Sequence, residues 1–542
     1  MKTVVAGALG ECVHVAGVVS FLRLAEQAGW RVVFLGPAVP PEKFLQAVRD
    51  EKADLVGVSY RLTPETGENV LGQFAEMADE LREQGVRFLF GGTPPVAEKA
   101  RQFEGFFDGV YDGNQPVEQL LAYLKGEKFS EMSEENYPQT LIERIKWKQP
   151  YPILRHHFGL PSMEATIKGI RQISEAKVLD VISLGIDQDA QANFFHPERQ
   201  DVRTFGAGGV PVRSAQDYAD LYAASRTGNF PLMRTYSGTD DFIRLAEMYV
   251  ETINIAWAAI PLFWFNLMDG RGPLTLEESL REHQELMTWY GSRSIPVELN
   301  EPHHWGMRDA SDVVFVTSAY VSALNAKVYG VKDYIAQMMF NSPPSTSGVM
   351  DLSKMLAILA MIEPLEDDNF RVWRQTRTGL LSYPLEDNAA RAHLNSSIYL
   401  QMALKPQIVH IVGHTEADHA ATGQDIIDAA LMARKTIENA LDGQIDPLLD
   451  PAIRQRVDYL VEQVKITLKA IAGLAPAGVE NPLTDAATLA QAVSVGILDA
   501  PQLRNNPFAR GKNRTGIING ASEELDEQGH HLTEEHRLAS FI

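Results

Sequence analysis

The N-terminal part of the chain alternates short apolar runs with amphipathic helical stretches. Runs of this length, apolar throughout, are typical of strands buried in a parallel sheet. They predict strands at residues 3–9, 31–36, 54–59, 87–91 and 107–111. The stretches between and after them predict helices at residues 16–29, 41–51, 67–85, 95–103 and 115–125. This alternation predicts a flavodoxin-like, Rossmann-like parallel sheet with right-handed crossovers.

A second series of short apolar runs, each followed by a helix-like stretch, extends from about residue 156 to 440. It predicts strands at Val178–Leu184, Thr204–Gly208, Leu232–Arg234, Ile253–Phe263, Ile295–Leu299, Val313–Val316, Val328–Tyr334 and Gln407–Val412. Strands and helices in this alternation indicate a (β/α)8 barrel of the TIM type. We therefore predict a first domain at 1–125, a polar linker at 126–155, a barrel at 156–480 and an irregular C-terminal extension at 481–542.

Composition narrows the classes of function. The 542 residues are 45% hydrophobic and 22% charged, as in a globular protein with more than one core. Neither a long apolar run nor a signal-peptide pattern is present in the sequence, so we expect a cytoplasmic protein without a membrane partner. A net charge of −22 repels phosphate backbones and disfavours nucleic acid. We expect a small-molecule substrate and a homodimer.

The candidate chemistry of the first domain lies where its predicted strands end. His14 and Gly17 follow the first strand, Ser59 closes the third, and Gly91 and Gly92 close the fourth. Carboxyl ends of parallel strands meet at one edge, where such sheets bind ligands, and glycine lets a flat ligand approach the backbone. A histidine in such a loop either ligates a cofactor or only forms local hydrogen bonds. A cofactor-free flavodoxin-like module remains the alternative.

These residues resemble the cobalamin-binding domain of base-off, His-on B12 enzymes such as the small subunit of glutamate mutase. The family motif is Asp-x-His-x-x-Gly, followed by a Ser-x-Leu-like segment and a Gly-Gly pair. The resemblance implies that the cofactor is adenosylcobalamin and that His14 is the lower axial ligand of its cobalt. It further implies that Ser59 touches the displaced nucleotide base and that Gly91 and Gly92 line the tunnel that holds it.

The sequence departs from this motif at two positions. Cys12, the one cysteine of the chain, stands where the family has Asp, and Arg61 stands two residues after Ser59 where the family has Leu. A thiol polarises an imidazole less than a carboxylate does, so we expect His14 to be a weaker electron donor than its family counterpart. We include Cys12 and Arg61 among the cofactor-binding candidates.

Three stretches of the second part resemble the large, catalytic subunit of glutamate mutase. They are residues 232–240, 273–302 and 411–418, with a further match at 495–501. The resemblance implies that Arg234 grips a substrate carboxylate and that Glu416 hydrogen-bonds the ribose of the adenosyl group. Two structural alternatives stay open: Arg234 as an internal salt-bridge partner, and Glu416 as an acid at a helix N-terminus.

The barrel also departs from the family. An arginine that helps to hold the substrate is replaced by Ala207, and the segment with the catalytic glutamate is replaced by the aromatic, acid-free stretch 257–266. These changes disfavour a glutamate-like dicarboxylate, whose second carboxylate and ammonium lack evident partners. Glu301 and His303 become the candidates for acid–base chemistry, and we expect no metal beyond the cobalt of cobalamin.

The sequence thus predicts an adenosylcobalamin-dependent isomerase that resembles the carbon-skeleton mutases. The predicted reaction is a radical rearrangement of a small carboxylate-bearing substrate other than glutamate. Two alternatives stay open. One is a corrinoid-dependent methyltransferase, and the other is a cobalamin-binding protein without catalytic activity.

Overall fold

The computed structural model describes residues 2–113, 115, 117–126 and 133–541. The chain divides into two compact units, Met1–Glu131 and Met132–Ile542. Within the described ranges, no helix combines the length and the apolar character needed to cross a bilayer.

The N-terminal unit is a five-stranded parallel sheet with helices between the strands. Its strands are β1 (Thr3–Ala8), β2 (Arg31–Phe34), β3 (Leu55–Tyr60), β4 (Arg87–Gly92) and β5 (Gly109–Tyr111). Its helices are α1 (Ala16–Gln27), α2 (Pro41–Asp50), α3 (Pro64–Glu83), α4 (Pro94–Ala100) and α5 (Val117–Lys125). The strand order β2-β1-β3-β4-β5 confirms the predicted flavodoxin-like topology.

Local sequence explains why helices begin directly after the central strands. Helices α3 and α4 start with proline, whose fixed φ and missing N–H suit the first helical position. The Thr63 side chain accepts a hydrogen bond from the Thr66 amide and caps α3. Strands β1 and β3 are buried along their whole length, so the ligand-accessible groups of this unit are those at the carboxyl edge of the sheet.

The second unit contains an eight-stranded, all-parallel sheet. Its strands are β6 (Ile153–Phe158), β7 (Val181–Leu184), β8 (Leu232–Arg234), β9 (Ala258–Ile260), β10 (Val297–Leu299), β11 (Asp333–Phe340), β12 (Arg371–Thr378) and β13 (Ile408–His410). Their order is β8-β7-β6-β13-β12-β11-β10-β9. The amide of Ala256, before β9, donates to the carbonyl of Met233 on β8 at 2.8 Å. The sheet is thus a nearly closed α/β barrel, which confirms the predicted fold class.

Helices surround this sheet and continue into the C-terminal region. They are α6 (Leu141–Lys148), α7 (Met163–Glu175), α8 (Gln188–Ala192), α9 (Ala215–Ala224), α10 (Phe242–Ile253), α11 (Leu276–Ser292), α12 (Glu301–Gly306), α13 (Asp312–Val328), α14 (Gly348–Ile362), α15 (Asp387–Gln401), α16 (Gly423–Leu441), α17 (Pro451–Gly473), α18 (Ala486–Ser494) and α19 (Glu534–Arg537). An antiparallel hairpin, β14 (Thr515–Ile518) and β15 (Ala521–Glu524), precedes α19.

Two predicted barrel strands are wrong. Residues 204–208 form turns because Gly206 and Gly208 adopt φ values of 76° and 86°, which a strand does not accommodate. Val313–Val316 lies inside α13, whose first turn is capped by Ser311; a four-residue apolar run does not by itself distinguish a strand from a buried helix. Strand β12 was not predicted, and β6 begins inside the segment interpreted as a linker.

A buried ionic network joins the C-terminal hairpin to the helices of the barrel. The Arg456 guanidinium, on α17, lies 2.9 Å from Asp312 on α13 and 2.6 Å from Glu523 on β15. Lys354 on α14 lies 3.3 Å from the same Asp312 and 3.2 Å from Asp351. Each charge has a partner of opposite sign, so the network is satisfied despite its burial.

We predict that Arg456→Ala destabilises the second unit by about 3–5 kcal/mol, because it leaves two buried carboxylates without their shared cation. The control is Arg281→Ala, which removes an exposed pair with Glu277 on α11 and costs at most about 0.5 kcal/mol. Urea unfolding measures both. Equal losses for the two variants contradict a structural role of the network.

Candidate functional site

A cleft of about 410 Å³ opens at the carboxyl edge of the N-terminal sheet. Its polar and glycine lining comes from the first turn of α1 and from the ends of β3, β4 and β5. These residues include Gly17, Gly57, Ser59, Arg61, Gly91, Gly92, Asp112 and Gly113. Its other walls are apolar and include Phe21 and Leu89. The topology therefore brings most of the predicted cofactor-binding residues of this domain to one cavity.

Two of the cleft glycines leave room for a ligand, and two others serve packing. A Cβ atom on Gly17 or Gly91 meets no atom of the described residues within 4 Å, so each glycine keeps the cleft wide. A Cβ on Gly92 lies 2.7 Å from the carbonyl oxygen of Tyr60, and a Cβ on Gly57 lies 2.5 Å from the Phe21 ring. Gly92 is therefore required by the sheet itself, whereas the Gly91 side of the cleft is open.

His14 lies on the loop between β1 and α1 and is exposed. Its Nδ1 atom is 3.9 Å from the Sγ atom of the fully buried Cys12, within hydrogen-bonding range for sulfur. Among the described residues, none forms a hydrogen bond with Nε2. An imidazole oriented through one nitrogen, with the other directed away from protein partners, has the arrangement of a metal-ligating histidine.

The interior of the barrel holds three buried guanidinium groups, from Arg155 on β6, Arg234 on β8 and Arg377 on β12. Arg155 is fully engaged: Nε donates to Gln375 Oε1 and Nη1 donates to Ser183 Oγ, both at 2.8 Å. Removing a charged guanidinium group from water is unfavourable. Buried guanidinium groups of this kind are therefore stabilised by anionic partners.

Glu298, on β10, is the carboxylate that faces two of these arginines. It lies 3.5 Å from Arg155 and 3.9 Å from Arg234, and it accepts a 2.7 Å hydrogen bond from Trp257 Nε1. Although burial alone raises its pKa, the two guanidinium groups lower the pKa of Glu298 overall, so it is ionised. Arg234 Nη1 lies 3.4 Å from Ser183 Oγ. The buried Nε and Nη2 atoms of Arg234 form no hydrogen bond within the described residues.

Arg377 and Glu416 lie at the ends of neighbouring strands. Arg377 is opposite His410 in the register of β12 and β13, and Glu416 lies on the loop after β13. The Glu416 side chain is exposed. Partial desolvation raises its pKa, and the Arg377 guanidinium opposes that shift.

Neutral histidines surround the arginines. Burial holds the pKa values of His157, His303 and His410 well below the usual range, and the nearby guanidinium groups lower them further. The His157 ring stacks on Tyr236 with a centroid distance of 5.3 Å, and Tyr236 Oη lies 3.3 Å from His157 Nδ1. At neutral pH these imidazoles are uncharged groups that both donate and accept hydrogen bonds.

Glu301 and His303 lie on the short helix α12, and both are buried. The Glu301 Oε1 atom accepts a 2.9 Å hydrogen bond from the Phe263 amide, whereas Oε2 has no partner within the described residues. Burial raises the pKa of Glu301 to about 8. At neutral pH this side chain is a carboxylic acid that holds a proton next to uncharged imidazole.

Sequence reasoning missed Arg155, His157, Glu298, Arg377 and His410. The available signal was a polar residue at alternate positions of an otherwise apolar run, because alternate side chains of a strand face the same side. Arg155 and His157 show this pattern within β6, and Glu298 shows it between Val297 and Leu299. Conversely, the structure buries Arg234, Glu301 and His303, all predicted as catalytic, within the second unit.

The raised pKa of Glu301 gives a prediction for stability. A protonated carboxyl group that is preferred in the folded state contributes its full stabilisation below pH 4.5, and this is lost as pH rises through about 8. Glu301→Gln keeps the shape of the neutral acid without its titration. Between these pH values, we predict that the wild type loses stability relative to the variant by up to about 1.4 kcal/mol per pH unit. Urea unfolding across this range measures the difference, and parallel curves contradict a protonated Glu301.

Comparison with known proteins assigns the N-terminal unit. Residues 2–121 match the family of the B12-binding domain. The glutamate mutase sigma subunit of Clostridium tetanomorphum is 29% identical over 130 residues, which are 23% of this chain and 93% of that protein.

Solved structures give matches of lower similarity. A cobalamin-binding protein from Desulfitobacterium hafniense DCB-2 shares 20% identity with a TM-score of 0.18; the match covers 20% of this chain and about half, 51%, of that protein. A rubisco-like protein from Burkholderia fungorum shares 13% identity with a TM-score of 0.35 over 60% of this chain and 73% of its own. The chain therefore carries a Rossmann-like B12-binding domain at residues 2–121, followed by a nearly closed parallel α/β barrel.

Proposed function

We propose that this protein is an adenosylcobalamin-dependent isomerase that resembles the carbon-skeleton mutases. Its barrel corresponds to the large subunit of glutamate mutase, and its substrate is a small carboxylate-bearing molecule other than glutamate. The observation that carries the proposal is His14, whose Nε2 forms no hydrogen bond within the described residues and which lies three residues before Gly17, a lining residue of the glycine-rich cleft in a B12-binding domain. When bound, adenosylcobalamin supplies the radical that abstracts a substrate hydrogen.

The residues at the cleft fit a corrinoid. His14 would hold the cobalt through Nε2, and Cys12 would orient the ring through Nδ1. The open space at Gly17 and Gly91 would admit the nucleotide tail, because no protein atom lies within 4 Å of a Cβ built there. Ser59 would supply a polar contact to that tail at the end of β3.

Two further candidates would also contact the cofactor. The exposed Arg61 borders the same cleft and would bind an anionic or carbonyl group of the cofactor. The exposed Glu416 would accept hydrogen bonds from the ribose of the adenosyl group, as the resemblance implies.

The barrel residues suit a substrate with a carboxylate. Arg234 has unpartnered donors in a dry interior, where a forked hydrogen bond to a carboxylate is strong. Glu301 would donate its proton to a substrate oxygen, and His303, uncharged, would accept or relay a hydrogen bond. The nearly closed barrel would limit the access of water to this interior during the reaction.

The cofactor proposal is tested with His14→Ala. We predict that the variant loses more than about 100-fold in cobalamin affinity. Mutating a group that only orients a ligating residue typically costs about 10–100-fold. We also predict that the visible spectrum of any bound cobalamin reports the nucleotide base, rather than a protein nitrogen, as the lower ligand. Titration followed by visible absorption measures both. An unchanged spectrum contradicts the assignment of His14.

Two further variants separate ligation from folding. Gly91→Leu fills the cleft at a position where a Cβ meets no protein atom, so it weakens cobalamin binding while the fold is kept. His530→Ala removes an exposed histidine of the C-terminal region and leaves binding unchanged. Equal binding by all three variants overturns the site.

The type of reaction is tested by electron paramagnetic resonance under anaerobic conditions. A cobalt–radical signal that requires both adenosylcobalamin and a small carboxylic acid supports the isomerase. Retention of methylcobalamin, rather than adenosylcobalamin, on purification supports the methyltransferase alternative and overturns the proposal. Tight binding of adenosylcobalamin without a signal for any acid supports a protein without catalytic activity.

A further inference from the structure

Arg377 is a buried cation that forms no ion pair within the part of the chain that the structure describes. Its side chain is 6% exposed, and its one hydrogen bond within the described residues is a 3.4 Å contact from Nε to the carbonyl oxygen of Thr378. Among acidic residues, Glu416 has the largest electrostatic effect on the pKa of Arg377. Within the described residues, the two side chains form no ion pair within 4 Å. The Nη1 and Nη2 atoms of Arg377 form no hydrogen bond within the described residues, so they are placed to receive an anionic group that would compensate the cost of burying the charge.

Arg234, on the opposite side of the barrel, also has donor atoms that lack a hydrogen-bond partner within the described residues. Its nearest carboxylate oxygen, on Glu298, is 3.9 Å away and is shared with Arg155. In the strand order β8-β7-β6-β13-β12, four steps separate the strand of Arg234 from that of Arg377. In an eight-stranded barrel, strands four apart face each other. The two guanidinium groups therefore project from opposite walls into one interior.

We infer that Arg377 is a second anion-binding residue of the barrel and that the substrate bears an anionic group at each of its two ends but no ammonium group. One anionic group pairs with Arg234 and the other with Arg377. The inference rests on the proposed function in taking this interior as the substrate site. The sequence analysis disfavoured a dicarboxylate because Ala207 replaces an arginine that helps to hold the substrate. Arg377, on a strand that the sequence analysis did not predict, supplies a partner for the second carboxylate.

The exclusion of ammonium follows from the charges of the interior. Glu298 already neutralises part of Arg155 and Arg234 and accepts from Trp257. Glu301 holds a proton at neutral pH. An ammonium group would therefore enter an interior in which three guanidinium groups outnumber the Glu298 carboxylate and the exposed Glu416, and like charges repel strongly in a medium of low polarity.

The test is calorimetric titration of the full-length protein with three acids of similar length. Succinate carries two carboxylates, butyrate carries one, and aspartate adds an ammonium to the two. We expect succinate to bind at least about 10-fold tighter than butyrate and aspartate, a difference worth one charge-assisted hydrogen-bonded pair. Tighter binding of aspartate than of succinate overturns the inference. Equal affinity for butyrate, succinate and phosphoglycolate, the last of which tests a phosphate as the second anionic group, also overturns it.

Phosphoglycolate, titrated in parallel, distinguishes a phosphate from a carboxylate as the second anionic group. Preferential binding of succinate or of phosphoglycolate over butyrate supports the inference and shows whether the second anionic group is a carboxylate or a phosphate. Failure of both succinate and phosphoglycolate to bind overturns it.

The variant Arg377→Met tests the residue itself. It should abolish the advantage of succinate over butyrate and leave butyrate binding, through Arg234, unchanged. In the absence of any acid it should also raise the thermal midpoint, because an unpaired buried charge is replaced by an apolar chain of similar length. A lower midpoint together with retained succinate preference shows a purely structural role and overturns the inference.

Arg374→Met is the matched control. Arg374 lies on the same strand and pairs with Glu363 at 2.5 Å on a half-buried surface, so its loss should leave the preference for succinate intact. These titrations need no cobalamin. A failed His14 assignment with preserved dianion binding therefore removes the proposed cofactor chemistry alone, whereas the opposite pattern removes the substrate class alone.

Discussion

Both units depend on the same constraint: in a parallel sheet, all strands place their carboxyl ends at one edge. In the N-terminal sheet this edge brings Ser59, Gly91 and the glycine turn after β5 to one cleft, although they are far apart in sequence. In the barrel it brings together Arg234, Arg377 and the loop that carries Glu416. Loops at this edge vary without disturbing the buried strands, so the fold tolerates the replacement of catalytic residues. Under the proposed function, the departures from the glutamate mutase pattern change the chemistry of the site while the parallel sheet is kept.

Charge burial is the second determinant of the barrel. Arg155 is satisfied by Gln375, Ser183 and Glu298, and it thereby links strands β6, β7, β10 and β12. Arg234 and Arg377 are not satisfied in this way, and protein stability alone does not explain them. The histidines around them are uncharged, so they add donors and acceptors without adding repulsion. In the buried network at Arg456, by contrast, each charge has its partner, which distinguishes a structural ion-pair network from the proposed ligand-binding arginines.

The sequence predicts the N-terminal fold closely because its strands are continuous apolar runs and its helices begin at Pro41, Pro64 and Pro94. It predicts the barrel less well where burial is mixed with polarity. Strand β12 reads as Arg-Val-Trp-Arg-Gln-Thr-Arg-Thr, which resembles a surface segment until the closed sheet buries its second half. For the same reason Arg377 was missed, whereas Arg234 was found through a motif. The distance between Cys12 and His14, the space at Gly91 and the raised pKa of Glu301 arise from tertiary packing, and no local pattern encodes them.

Direct identification of the lower cobalt ligand tests the central claim, that His14 binds cobalamin. The protein is prepared with ¹⁵N-labelled histidine, loaded with unlabelled cobalamin and reduced to the cobalt(II) state for electron paramagnetic resonance. If a histidine is the axial ligand, each cobalt line splits into the doublet that a ¹⁵N nucleus produces, and the doublet disappears in the labelled His14→Ala variant. A triplet from the unlabelled base of the cofactor, in the labelled wild type, contradicts the account.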